Sequence, residues 1–338
     1  MMVKSKAQAL QLPTGPVDDA LARFVSAYAD SYPQLLSSEV KIGVAYSGGA
    51  DSTALLLSAL KRWSEQIYAL HIHHGLQEAA EQFVNHCENR CWQWDIPFSA
   101  MRVNARHASG ESPEDAARNS RYEALVRMAK EHGLGMILLG QHADDQVETL
   151  LLALSRGAGL PGLACMPAVF ERDGVLFARP MLEVGVSILR DYLKQQDIDW
   201  VEDPTNQERI YTRNRIRLDI LPSIAAVFPG YKETFLRSIS HIVEAQTLLE
   251  ELARQDLLEV GNPPAIKVLQ KLSEQRQANV LRFWLKESYQ TSPSTRQLHE
   301  LLKQIQACCT GGHCIHMRVG KGVMERSGNY LRYLSHTD

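Results

Sequence analysis

Apolar positions recur along this chain with two periods, and the period decides the element. In PVDDALARFVSAYADSY (16–32), Leu21, Phe24, Val25 and Tyr28 fall on one face at helical spacing. From residue 40, short apolar runs alternate with longer amphipathic stretches. VKIGVAYS (40–47), IYALHIHH (67–74), FSAMRVNA (98–105) and LGMILLGQ (134–141) read as strands. DSTALLLSALKRW (51–63), AAEQFVNHCENRCW (79–92), SPEDAARNSRYEALVRMAKEHG (112–133) and DDQVETLLLALSRG (144–157) read as helices. The third helix has a clean start and stop: Ser112 suits its cap, Pro113 its first position, Asp115 a capping box, and Gly133 its end.

That alternation predicts an α/β fold, a parallel sheet with helices on both faces. Ligands of such sheets bind beyond the carboxyl ends of the strands. Residues 47–52, 71–75 and 140–148 fall there. After Gly157 the chain turns loop-like (GAGLPGLACMPAV), with short elements up to about residue 228. A helix is expected over 231–255, followed by a smaller α+β unit. Its helices run over SEQRQANVLRFWLKESY and STRQLHELLKQIQ, and its short strands lie in IHMRVGKGVMERSGNYLRYL.

Composition sharpens this picture only in places. The 338 residues suffice for two or three domains, and 45% hydrophobic residues can fill a core. No apolar run approaches the roughly 18 residues of a membrane span, and MMVKSKAQALQLPTG lacks the apolar centre of a secretory signal. The expectation is a soluble, cytoplasmic protein without a membrane partner. Six cysteines in such a chain argue against a disulfide framework. Neither HCENRC nor CCTGGHC has paired zinc spacing, so buried thiols are the plainer reading. Up to residue 230 there are 22 Lys and Arg against 28 Asp and Glu; from 231 onward, 14 against 11. The basic tail allows a nucleic-acid partner without requiring one.

The sharpest signal is VAYSGGADSTALL (44–56), a strand entering a helix through glycines. Ser47, Gly48, Gly49, Ala50 and Ser52 form a cradle for phosphate. Glycines turn the backbone N–H groups inward, and the helix N-terminus adds positive charge. The loop lacks the Gly-Lys-Ser/Thr of a P-loop. Asp51 would repel phosphate unless a cation bridged the two, and Mg²⁺, a hard ion shared between carboxylate and phosphate oxygens, is the default. The plain alternative is a tight turn in which Asp51 only caps the helix.

Ser-Gly-Gly-x-Asp-Ser after a first strand resembles the signature of the PP-loop ATP pyrophosphatases, a Rossmann-like family. LHIHHGLQ (70–77), EDAARNSRYEAL (114–125), LGQHADDQVETLLLALSRGAGLPGLACM (139–166) and EDPTNQERIYTRNRIRLDILP (202–222) resemble, in order, blocks of the tRNA(Ile)-lysidine synthetases. The last 45 or so residues resemble their substrate-binding domain. The first 35 add nothing to the resemblance. Gln141, His73 and Thr205 depart from the family's usual His, Asn and Ser. The resemblance implies a PP-loop catalytic domain over 1–228 and a tRNA-binding domain over 229–338, joined by a helical linker at about 231–258. It implies a ligase that consumes ATP with Mg²⁺. The carbon-2 oxygen of the wobble cytidine of tRNA(Ile) is adenylylated, free L-lysine then attacks through its ε-amine, and AMP leaves. A homodimer is left open.

The residues suit that chemistry in specific ways. Asp145 and Glu148 share a helix face and could bind lysine, help hold Mg²⁺ or take the amine's proton; a solvated helix start is the alternative. Val147, Leu150, Leu151 and Leu154 should be buried on the other face. His142 is expected to meet phosphate as pyrophosphate leaves. Arg118 and Arg121 could steady phosphate or the tRNA backbone, although Glu114 is placed to pair with Arg118 along the helix. Arg213, Asn214, Arg215 and Arg217 form a basic segment suited to RNA phosphates, or else a solvated face. His71 and His73 end the second strand beside the nucleotide. Rival readings are a PP-loop tRNA thiolase, a small-molecule ligase using the same loop, and an RNA-binding module with a non-catalytic loop.

Overall fold

Strands β1 (Lys41–Ala45), β2 (Ile67–His73), β3 (Phe98–Arg102) and β4 (Leu134–Leu138) carry the first unit of the chain. The protein is described by a computed structural model covering residues 5–73, 79–103, 113–309, 313–320 and 322–335. The chain divides into two units, Met1–Ile239 and Ser240–Asp338.

In the first unit the sheet order is β3-β2-β1-β4-β6-β5, where β5 is Val169–Arg172 and β6 is Val175–Ala178. The first five strands of that order are parallel; β5 runs antiparallel to β6 as a hairpin edge. The hairpin turns through Asp173 and Gly174, both at positive φ (51° and 80°), the geometry an Asp-Gly pair favours. The parallel core is as expected from the alternation; the antiparallel edge is an addition. Gly43 sits at the centre of β1 because a Cβ there would meet Leu134 Cδ1 at 2.9 Å and Leu70 Cδ1 at 3.0 Å.

The helices are α1 (Lys6–Leu10), α2 (Pro16–Tyr28), α3 (Ala50–Arg62), α4 (Ala79–Gln93), α5 (Pro113–His132), α6 (Ala143–Ser155), α7 (Leu160–Leu163), α8 (Val186–Gln195), α9 (Thr212–Arg215) and α10 (Leu221–Val227). Period-two strands feed two cores: Met136 and Leu138 join Ile42 and Val44 beneath α3, while Ile137 joins Leu125 and Met128 of α5 on the other face. Gly133 ends α5 at φ +63°. Its Ser112 cap, the side chain of Asp115, and His74 to Gln77 lie outside the described residues.

Residues before β1 belong to this core. Val17, Leu21, Phe24 and Val25 of α2 are buried with α3 and α8. Asp18 accepts from Tyr192 Oη (2.9 Å) and pairs with Lys61 (3.1 Å), while Lys61 Nζ and Gln196 Nε2 each donate to the carbonyl of Pro13 at 2.9 Å.

Helix α11 (Tyr231–Val260) contains the boundary between the units. The second unit adds α12 (Ile266–Leu269), α13 (Glu274–Tyr289), α14 (Thr295–Ala307) and an antiparallel sheet of β7 (His316–Val319), β8 (Gly322–Ser327) and β9 (Tyr330–Leu334). Ser294 caps α14 in a reciprocal box with Gln297. Trp284, Leu281, Leu301, Met324 and Leu331 fill the core of this unit.

Candidate active site

A cavity of about 720 Å³ opens at the carboxyl ends of β1, β2 and β4, bordered by Ser47, Asp51, His71, His73, His142 and Asp145 among others. Chain order separates these groups; the parallel sheet brings them together.

The glycine turn is braced from within. Ser52 Oγ accepts from the Ser47 N–H (3.2 Å) and lies 3.0 Å from Ser47 Oγ; Thr53 Oγ1 donates to the Gly49 carbonyl (2.8 Å). Gly48 has φ +86°, and a Cβ there would meet Cys87 Sγ at 2.9 Å. Gly140, just past β4, approaches so closely that a Cβ would lie 3.2 Å from the Ser52 nitrogen. The turn therefore meets a ligand in a shape already set. Gly49 is the N-cap of α3, and Ala50 begins the helix. Asp51 follows, with Oδ2 facing His142 Nε2 at 3.5 Å and Oδ1 buried without a hydrogen-bond partner among the described residues.

His142 is the N-cap of α6 and is buried. Its N–H donates to Asp145 Oδ2 (3.1 Å), and its ring lies within 4 Å of Asp51, Asp144 and Asp145. Burial works to lower its pKa; the hydrogen bond to Asp51 and the charges of Asp145, Asp51 and Asp144 outweigh it and raise the pKa to about 9. At neutral pH the ring is an imidazolium. His71 differs. Burial lowers its pKa, its Nδ1–H donates to the Tyr46 carbonyl (2.9 Å), and it is the neutral neighbour.

The acids of α6 are all engaged. Glu148 is fully buried, so the solvated helix start does not describe it. Burial raises its pKa against the pull of Arg217, whose Nε donates to Oε1 at 2.7 Å. Glu148 Oε2 is buried without a partner among the described residues. Arg217 also lies 3.7 Å from Asp145. Asp144 is likewise buried; burial would raise its pKa, but Lys232 Nζ at 2.5 Å and the Val186 N–H at 2.9 Å lower it. On the other side of α6 Val147 and Leu150 are buried and Leu151 is half-buried, but Leu154 is 54% exposed, because the helix ends one residue later.

The basic segment is divided. Arg213 donates to Thr149 Oγ1 (3.1 Å) and Arg217 to Glu148, both toward α6. Asn214 donates to the carbonyls of Thr205 and Glu208 and holds that turn. The Arg215 side chain is exposed and makes no hydrogen bond or ion pair with a described residue. Arg118 is exposed on α5, and Arg121 lies over the Tyr122 ring at 5.5 Å; neither borders the cavity. The Glu114 side chain lies outside the described residues.

Asp144 and Lys232 are the site residues that sequence reasoning missed. Asp144 had a signal, standing beside Asp145 in the same block; Lys232 had none, since its partner is 88 positions away. Cys87 and Cys91 are buried free thiols whose pKa burial pushes up, that of Cys87 to about 12. Such thiols are poor nucleophiles and metal ligands, which counts against the thiolase reading. The described residues hold no group of three or more His, Cys, Asp or Glu arranged for a metal, and no described helix is long and apolar enough to cross a membrane.

Comparison with known proteins gives a consistent result. A family described as the PP-loop domain matches residues 19–224, and one described as the TilS substrate binding domain matches 265–331. A tRNA(Ile)-lysidine synthase of Polaromonas naphthalenivorans is 55% identical, with 95% of this chain and 97% of that protein covered. That of Burkholderia mallei is 38% identical; the match covers 86% of this chain and 59% of its relative, so the chain spans about three-fifths of that protein's length. Among solved structures, the U34-tRNA thiolase NcsA of Methanococcus maripaludis has a TM-score of 0.56 at 14% identity, covering 68% of this chain and 78% of its own. That last likeness is one of fold.

Proposed function

Because this chain belongs to the tRNA(Ile)-lysidine synthase family, we propose that it uses ATP to attach free lysine to carbon 2 of the wobble cytidine of tRNA(Ile). The cytidine carbonyl oxygen attacks the α-phosphorus of ATP, and the bond to the β-phosphate breaks. Pyrophosphate leaves. The ε-amine of lysine then attacks carbon 2, loses a proton, and expels AMP.

The single observation that carries this reading is the convergence, in one cavity, of the braced glycine turn, Asp51, His142 and the acids Asp144 and Asp145 of α6. The turn's N–H groups and the Ser47 hydroxyl receive phosphate oxygens at the start of α3. His142 places a fixed positive charge next to that turn, where negative charge collects as pyrophosphate departs. Asp145, at the cavity wall, supplies the negative charge toward which an amine is drawn and to which its proton passes, and the buried Glu148 holds Arg217 beside it. Mg²⁺ suits the residues present: Asp51 offers one buried carboxylate oxygen with no hydrogen bond among the described residues, and hard oxygen donors are what this ion takes. Asp51 would hold it jointly with phosphate, and it would neutralise phosphate charge. The His71 and His73 end of β2 flanks the same space and suits the bases. Arg118, Arg121 and Arg215 point to contacts with the tRNA backbone.

The test is incubation of the protein with ATP, labelled lysine and bulk tRNA, followed by nucleoside analysis. Lysidine with equimolar AMP is expected. Formation of ADP, or label absent from the nucleosides, would overturn the proposal.

A further inference from the structure

A lysine presents three charged groups to its enzyme, and the α6 acids facing the ε-amine account for only one. We propose that Lys232 and Asp144 together seat the α-carboxylate and α-ammonium of the amino-acid substrate, Lys232 taking the carboxylate and Asp144 the ammonium; this rests on the lysine-transfer reading above. The two side chains form a cation–anion pair at 2.5 Å, the charge pattern complementary to a zwitterionic α-carbon. Asp144 borders the cavity, and the Lys232 side chain keeps 30% of its surface exposed. An ammonium has three donors, and Asp144 is the one partner the described structure gives Lys232.

The cations that border the cavity are already paired, while Lys232 touches Asp144 without itself bordering the cavity. Arg217 is bound to Glu148, Arg190 is paired with Glu202 at 3.3 Å, and His142 stands among three carboxylates beside the phosphate turn. Lys232 is paired as well, but with Asp144, so an incoming zwitterion can exchange both charges of that pair at once. Length agrees as well. Asp144 and Glu148 are four residues apart on α6, hence about 6 Å along one helix face. An extended lysine side chain covers about 6 Å from Cα to Nζ. A substrate anchored at Asp144 thus points its ε-amine along α6 toward Asp145, which borders the cavity, with the fully buried Glu148 one turn further on. Lys232 lies between the two segments that the family descriptions match, so neither match implies this role.

The experiment measures modification of tRNA with lysine, lysine methyl ester and 1,5-diaminopentane, which keeps the reactive amine but lacks the α-carboxylate. Wild-type enzyme is expected to prefer lysine over both analogues by at least tenfold in kcat/KM. In Lys232→Met the KM for lysine should rise tenfold or more while that for the diamine is unchanged, so the preference collapses; Lys232→Arg should restore part of it. Pyrophosphate release with ATP and tRNA alone should persist in both variants, which shows that they fold and adenylylate. If Lys232 only fastens α11 to α6, all amines will lose equally and the ratio will stay at its wild-type value, which overturns the proposal. Wild-type indifference between lysine and its methyl ester overturns it without any variant. Failure of the wild type to use any amine would overturn the parent reading as well.

Discussion

Replacing His142 with asparagine isolates the charge at the centre of the site, because asparagine keeps the N-cap of α6 and removes only the titrating ring. The His142 pKa stands at about 9 against an ordinary 6.5, a difference worth roughly 3 kcal/mol as an upper figure. The folded-state value is the higher one, so the stabilisation is fully present below pH 6.5. Above that pH the unfolded chain releases the proton while the folded chain still holds it, and stability falls until the pH passes about 9. His71 and His86 are shifted downward by burial, so their contribution is lost on the acid side instead. Cys87 and Cys91, shifted upward, act from about their ordinary value of 9.0 upward. The difference between wild type and His142→Asn therefore isolates the ring. The assay is urea denaturation at pH 6, 7.5 and 9 without nucleotide or divalent cation. The wild type should lose about 2–3 kcal/mol more than the variant across that range. Equal pH dependence in the two proteins would refute the ring's pairing with Asp51 and Asp145.

Asp51→Asn should abolish tRNA-dependent pyrophosphate release while leaving tRNA affinity within about twofold, an outcome read by filter binding; wild-type release from this variant would remove the carboxylate from the reaction. Arg215→Ala should weaken tRNA binding and reduce the slope of log affinity against log salt by about one, whereas the paired Arg217 should not behave as a simple phosphate contact. Gly48→Ala should cost about 1–3 kcal/mol, because φ of +86° and the nearby Cys87 sulfur both oppose a Cβ; thermal denaturation measures it.

The α/β alternation was legible because strands and helices repeat with different periods, and their ends were found within a few residues. The glycine turn was legible because its chemistry is local. The β5–β6 hairpin falls in the stretch expected to form short elements, and the Asp173-Gly174 turn between its strands is a local signal for it. The basic segment looked like one cluster in sequence. Helical geometry splits it, since Arg213 and Arg217 are four apart on one face while Arg215 points away from that face. The burial of Glu148 was not legible, because what covers it comes from 69 positions later. Exposure of Leu154 followed from where α6 stops, which periodicity does not fix.

The clamp formed by Asp18, Lys61, Tyr192 and the Pro13 carbonyl carries a practical consequence. Residues that precede the recognisable motifs are an obvious choice to trim for expression, although the PP-loop family match already begins at residue 19. Starting the chain at residue 36 would tear α2 from α3 and α8 and leave an oily flank bare. Such a shortened product should precipitate in the host, and its loss of activity would be misread as a defect in chemistry.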